Sequence, residues 1–208
     1  VHSQSSPSIL YFHSNGEVVS DHDYIAPMYN QLGINLFVAD YRGYGASQGS
    51  PTFRNTIEDA PVIFKAFTDM LHQNHYSDNL FVMGRSLGSI SAIEIAYRHQ
   101  EQIKGLIIES GFASVVNLLS HLGFPSKLLD IKDTGFPNLT KIQTITLPTL
   151  IIHGEYDSLV PPTEGKALFQ NIATEDKRLV IIPKADHNSI MMIGMERYFK
   201  AIKEFVFA

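Results

Sequence analysis

The sequence predicts an α/β protein built on a mostly parallel sheet of about six strands flanked by helices. Two observations carry that expectation. Six short β-type runs recur along the 208 residues, and they are apolar almost throughout instead of alternating, as strands buried on both faces of a parallel sheet must be. Stretches with apolar residues at helical spacing fall between them, and strand–helix alternation of this kind marks a single α/β domain. A composition of 44% hydrophobic and 18% charged residues suits one sizeable core.

The elements follow in order. The lead-in "VHSQSSPS" (1–8) is polar and Ser-rich and reads as a linker or a cut end. The first strand is "ILYFH" (9–13) and the second "INLFVAD" (34–40). The glycines of "DYRGYG" (40–45) make a tight turn after that strand, with Arg42 placed to tie the loop to a carboxylate such as Asp59; lining a substrate site is the alternative. A helix then sets Ile57, Ala60, Phe64, Phe67 and Leu71 on one face, with Pro61 expected in its first turn, where a missing N–H costs nothing. The third strand, "LFVMG" (80–84), passes into a helix after Ser86 with no loop between. "GLIIE" (105–109), "TLIIH" (149–153) and "RLVIIP" (178–183) complete the strands, and further helices start near Pro162 and run from about Ser189 to the C-terminus.

Several function classes are excluded. The net charge is −5 and the Lys and Arg residues are scattered, so there is no basic stripe for nucleic acid. No apolar run approaches the 18 or so residues of a membrane span. The absence of cysteine rules out disulfides, thiolate catalysis and Cys-ligated metal. With no H-E-x-x-H or similar spacing, no metal is expected, and the acyl-transfer chemistry read below requires no cofactor. Among the histidines, His13 and His153 end strands and are expected to bond loop backbone, His13 alternatively shaping the rim of a site. His2, His22, His72, His75, His99 and His121 read as solvated or helix-face residues. The expected partner is a small-molecule or acylated substrate. Contact with a membrane surface is neither indicated nor excluded, and a cytoplasmic location is the default expectation, an upstream signal or anchor being left open.

The chemistry concentrates at Gly84-Arg85-Ser86-Leu87-Gly88, which fits G-x-S-x-G and sits between a strand and a helix, the setting a nucleophile elbow requires. A sharp strand-to-helix turn strains the central residue, and glycines two positions away remove side chains that would collide. Ser86 Oγ is thereby lifted clear, and the N-terminal amides of the new helix, including that of Leu87, point at the reaction centre. The bland alternative is a tight turn with an N-cap serine. A serine needs a base, and on this kind of sheet the partners follow in the order acid, then histidine. Asp157 in "HGEYDSLVPP" is the expected acid, with Glu155 and Glu109 as competitors, and His187 in "KADHNS" is the expected base. Together they would transfer an acyl group through an acyl-enzyme. A peptidase or amidase would use the same three residues. Haloalkane or epoxide chemistry would want Asp at position 86, and a non-catalytic binding scaffold is the rival of a different class.

With "LYFHSNGE" (10–17), "DYRGYGASQGSP" (40–51), "GRSLGS" (84–89), "HGEYDSLVPP" (153–162) and "ADHNSI" (185–190), the chain resembles the α/β-hydrolase superfamily. Within it, the chain is similar to the abhydrolase-domain branch that includes eukaryotic protein depalmitoylases and their bacterial relatives. The resemblance implies the α/β-hydrolase fold, a serine hydrolase acting on esters or thioesters, and a second oxyanion amide from Asn15. Where that family reads H-G-N, this chain reads His13-Ser14-Asn15, adding a side chain to the oxyanion loop. The family also has two antiparallel strands before the one corresponding to "ILYFH", for which this sequence has no room; the sheet edge at "INLFVAD" is therefore expected to lie open. The connection 111–147 is far longer than the 2–6 residues typical of such loops and reads as a small helical cap. Its Leu118, Leu119, Leu122, Phe124, Leu128, Leu129 and Phe136 either pack on the sheet or line a pocket for a short or medium acyl chain.

Overall fold

A computed structural model describes residues 1–124 and 138–208. In chain order it contains β1 (Ser8–Phe12), α1 (Ala26–Gln31), β2 (Asn35–Ala39), α2 (Phe53–Gln73), β3 (Leu80–Arg85) and α3 (Gly88–Arg98). There follow β4 (Gly105–Glu109), α4 (Val115–His121), α5 (Asn138–Ile142), β5 (Thr149–Gly154), α6 (Pro162–Asn171), β6 (Lys177–Ile182) and α7 (Ile190–Val206). The six strands form one sheet in the order β2-β1-β3-β4-β5-β6, every neighbouring pair parallel. No described helix is long and apolar enough to cross a membrane.

The unbroken apolar character of the strands has its cause in two cores. Along β1, Leu10 and Phe12 enter the core on one face, with Ala60 and Phe64 of α2, Ile93 of α3 and Leu168 of α6. Ile9 and Tyr11 enter the core on the other, with Tyr29 of α1 and Tyr198 and Ile202 of α7. Both faces of β1 are buried, so neither register position along its apolar run is left for water. The chain moves outward from β1 to β2 and then returns across β1 to β3. The loops leaving β1 and β3 therefore diverge and open a crevice at the carboxyl ends of the strands, where such sheets place ligands.

Each strand predicted from the sequence is present within a residue or two, and β2 lies at the sheet edge as expected. One helix is corrected. α2 begins at Phe53, capped by Thr52, whose side chain accepts the Asn55 amide at 3.0 Å, so Pro61 lies two turns inside it and not in its first turn. The cap outweighed the helix-breaking cue. The histidines need a second correction: His22 is buried against Tyr11, its Nδ1 donating to the Val18 carbonyl at 3.1 Å.

Candidate active site

β3 runs through Arg85 and α3 begins at Gly88, so the chain turns from strand to helix within two residues. Ser86 carries the turn with φ of 50°, a left-handed conformation that costs a residue with a side chain on the order of 1–3 kcal/mol. Its amide donates to the Glu109 carbonyl at 2.9 Å, so the corner stays tied to β4. The flanking glycines allow close approach. A Cβ on Gly84 would stand 2.3 Å from the Gly88 carbonyl oxygen, and one on Gly88 would stand 2.0 Å from that of Phe12. The corner is pressed against β1 from one side and against its own helix from the other.

Two loops bring the remaining groups. After β5, Asp157 closes a turn in which its Oδ1 accepts the amides of Leu159 (3.1 Å) and Val160 (2.8 Å). Its Oδ2 lies 2.7 Å from His187 Nδ1, and both residues are buried. Burial alone would raise the Asp157 carboxyl, but the imidazoles of His153 and His187 and the Val160 amide outweigh it and hold it well below the usual carboxylate range. An ionised carboxylate only accepts, so Nδ1 carries the proton and Nε2 of a neutral His187 is left as the basic nitrogen. The loop after β6 is held by Asp186, whose Oδ1 accepts the amides of Asn188 (3.0 Å) and Ser189 (2.9 Å). His153, at the end of β5, donates from Nε2 to the Val160 carbonyl at 2.8 Å, so it fixes the turn carrying the acid.

Ser86, Leu87, Asn15 and His187 line one cavity of about 700 Å³, with Asp157 behind the imidazole. Its apolar wall includes Phe112, Leu118, Leu119, Leu122 and Leu159. On the loop after β1 the Ser14 amide donates to Glu17 Oε2 at 2.9 Å, and the Tyr44 hydroxyl donates to Asn15 Oδ1 at 2.6 Å. The added Ser14 side chain is buried beside them. Neither rival acid reaches His187: Glu109 binds Arg85 and Tyr198, and Glu155 accepts the Lys184 amide. Of the apolar residues of the 111–147 connection, Phe124 is 53% exposed and outside the cavity wall, while Leu128, Leu129 and Phe136 lie outside the described residues. "DYRGYG" divides its two roles between residues. Arg42 bonds Asp59 through its amide (3.1 Å) and Nε (2.5 Å), and Tyr44 faces the cavity. His13 bonds the Ser14 carbonyl through Nδ1 at 2.9 Å, meeting the expectation of a loop-backbone contact.

Sequence reasoning missed Arg85 and Glu17. Arg85 stood at a free position of G-x-S-x-G, and Glu17 ended the segment "LYFHSNGE" without a role assigned to it. An arginine closing an apolar strand beside the motif serine was the available signal.

The family model described as "Serine aminopeptidase, S33" matches residues 3–140 and 126–191. Protein bem46 of Schizosaccharomyces pombe is 30% identical over 210 residues, covering 98% of this chain and 68% of its own. Alpha/beta hydrolase domain-containing protein 17B of Homo sapiens is 28% identical over 203 residues, covering 96% of this chain and 66% of its own. The chain thus spans about two thirds of the length of these curated relatives. Among solved structures, Est1E of Butyrivibrio proteoclasticus with ferulic acid bound superposes with a TM-score of 0.80 at 21% identity, covering 99% of this chain and 90% of that one. The monoacylglycerol lipase of Paleococcus ferrophilus gives 0.73 at 18% identity, covering 97% and 95%. At these identities the structural likeness is one of fold.

Proposed function

Because the chain belongs to the α/β-hydrolases, in their abhydrolase branch, we propose that it is a serine hydrolase cleaving carboxylic ester or thioester bonds through an acyl-enzyme on Ser86. One observation carries the reading: a serine on a left-handed corner opens onto the same cavity as a histidine tied to a buried carboxylate.

In this reading Ser86 Oγ attacks the acyl carbonyl carbon while His187 Nε2 takes its proton. Asp157 keeps the other ring nitrogen protonated and stabilises the imidazolium. The amides of Leu87 and Asn15 stabilise the oxyanion, where one good donor is worth about 3–4 kcal/mol. Collapse of the tetrahedral intermediate breaks the bond to the alcohol or thiol, which leaves with the proton from His187. Water, deprotonated by the same imidazole, then attacks the acyl-enzyme and releases the acid and Ser86. The chemistry calls for no cofactor.

A short or medium acyl chain fits best. α4 and the Leu122 that follows it act as a small cap whose Leu118, Leu119 and Leu122 line the cavity, and each methylene buried there contributes about 0.8 kcal/mol. An aminopeptidase, the activity in the family's description, has to hold an ammonium group. The one carboxylate among the described lining residues, Glu17, is already paired with Arg85. That favours an acyl ester over a peptide.

The test is a fluorophosphonate probe, which reacts quickly only with an activated serine. Ser86 should be the labelled residue, and Ser86→Ala should abolish both labelling and ester turnover. Labelling that survives Ser86→Ala sinks the assignment.

A further inference from the structure

One guanidinium reaches two of the loops that assemble the site and the end of a neighbouring strand. Arg85 is the last residue of β3, immediately before Ser86, and its side chain is only 13% exposed. Its Nη1 pairs with Glu17 on the loop after β1, and its Nε donates to Glu109 Oε1 at the end of β4 at 3.1 Å. Its Nη2 donates to the His187 main-chain carbonyl at 2.8 Å, with Asn188 Oδ1 at 3.4 Å.

The contacts continue outward on each branch. Glu17 turns its second oxygen to the Ser14 amide, one residue before Asn15. Glu109, 2% exposed, turns its second oxygen to the Tyr198 hydroxyl at 2.7 Å, and Tyr198 in turn contacts the Tyr29 hydroxyl at 3.2 Å. The corner, the oxyanion loop and the histidine loop are therefore referenced to one planar group of fixed geometry, itself anchored to a buried acid and α7.

We propose that Arg85 is a positioning residue of the hydrolytic site, whose fork sets the His187 backbone and the Asn15 loop in register with Ser86. The proposal rests on the serine-hydrolase reading above. Asp157 fixes one ring nitrogen of His187 but not the backbone from which the ring hangs. The bond from Arg85 to the carbonyl of the same residue fixes that backbone, so the ring is held from both ends. Lysine would supply the charge that Glu17 and Glu109 require, but not the planar set of donors that also reaches His187. The role belongs to the fork and not to the charge.

Arg85→Lys and Glu17→Gln separate positioning from folding. Turnover of p-nitrophenyl butyrate is measured per active site titrated with fluorophosphonate, alongside Tm. For Arg85→Lys we expect Tm close to wild type, KM within about threefold, and kcat per titrated site lower by about 10²-fold, the cost of misplacing a reacting group by about 1 Å. Glu17→Gln should lower kcat in the same sense by a smaller factor, because it loosens only the oxyanion branch. The clamp is overturned if Arg85→Lys turns over within twofold of wild type per titrated site, or if its loss lies in KM or follows the loss of titratable sites. Should Arg85→Lys not fold, an unchanged kcat in Glu17→Gln overturns it equally. A wild-type protein that neither labels at Ser86 nor hydrolyses the ester defeats the hydrolase reading and the clamp together. A wild type that does both, matched by Arg85→Lys, defeats the clamp alone.

Discussion

Gly88→Ala tests the nucleophile corner, because two physical effects give it opposite signs. Gly88 opens α3, and an alanine in a helix is favoured over glycine by up to about 1 kcal/mol, so local propensity predicts a gain in stability. Packing predicts a loss. The added Cβ would stand 2.0 Å from the Phe12 carbonyl oxygen, 2.6 Å from its carbon and 2.8 Å from the His13 oxygen, where ordinary contact starts near 3.4 Å. The two backbones would have to part by about 1.4 Å. β1 cannot give way easily, because β2 and β3 bond it on both sides. Overpacking of this kind costs about 1–3 kcal/mol, so the net effect is destabilising and Tm should fall by a few degrees, at about 2–4 °C per kcal/mol for a domain of this size. The opening also carries the Leu87 amide away from the Asn15 loop, and a displacement of about 1 Å is worth about 10²-fold in rate. The assay is Tm together with kcat on a short-chain ester, the latter per fluorophosphonate-titrated site. A Gly88→Ala protein with unchanged or raised Tm and wild-type kcat would refute the argument that close approach, and not turn propensity, requires glycine here.

Three further outcomes follow from the site. Asp157→Asn should cost on the order of 10⁴ in turnover, because the amide no longer selects the tautomer with Nδ1 protonated; retention of most activity would move the acid elsewhere. The Asp157 carboxyl is depressed on folding, so its contribution to stability is present above the unfolded carboxylate value and is lost progressively as pH falls from there through the strongly acid folded one; Asp157→Asn should remove that part of the acid sensitivity of Tm, and an unchanged acid profile of Tm would count against it. The double variant Leu119→Ala, Leu122→Ala should flatten the dependence of kcat/KM on acyl length, and a wild-type protein showing no such dependence would show that α4 does not read the acyl chain.

Which parts of this protein the sequence determined by itself follows from the range of the forces involved. Six apolar runs had to become buried strands, because segments such as "TLIIH" and "GLIIE" leave no face for water. Ser86 and its glycines were legible because the strand-to-helix corner is a matter of neighbouring residues and local sterics. Asp157 and His187 were legible only through the order in which such loops follow a sheet. Local signals failed where a local rule met a stronger neighbour. Pro61 promised a helix start, but the Thr52 cap and the apolar face running through Ala60, Phe64 and Phe67 drew the helix back to Phe53. His22 looked like a surface residue until Tyr11 and Glu17, distant in chain order from β3, closed around it beside Arg85. Glu109, a competitor for the acid from its place at a strand end, was assigned by the tertiary structure to Arg85 and Tyr198. Arg85 itself lies 68 residues from Glu17 and 102 from His187. Backbone geometry and burial propagate along the chain and can be read from it. The pairing of charges depends on which strand ends a parallel sheet sets side by side, and only the folded sheet decides that.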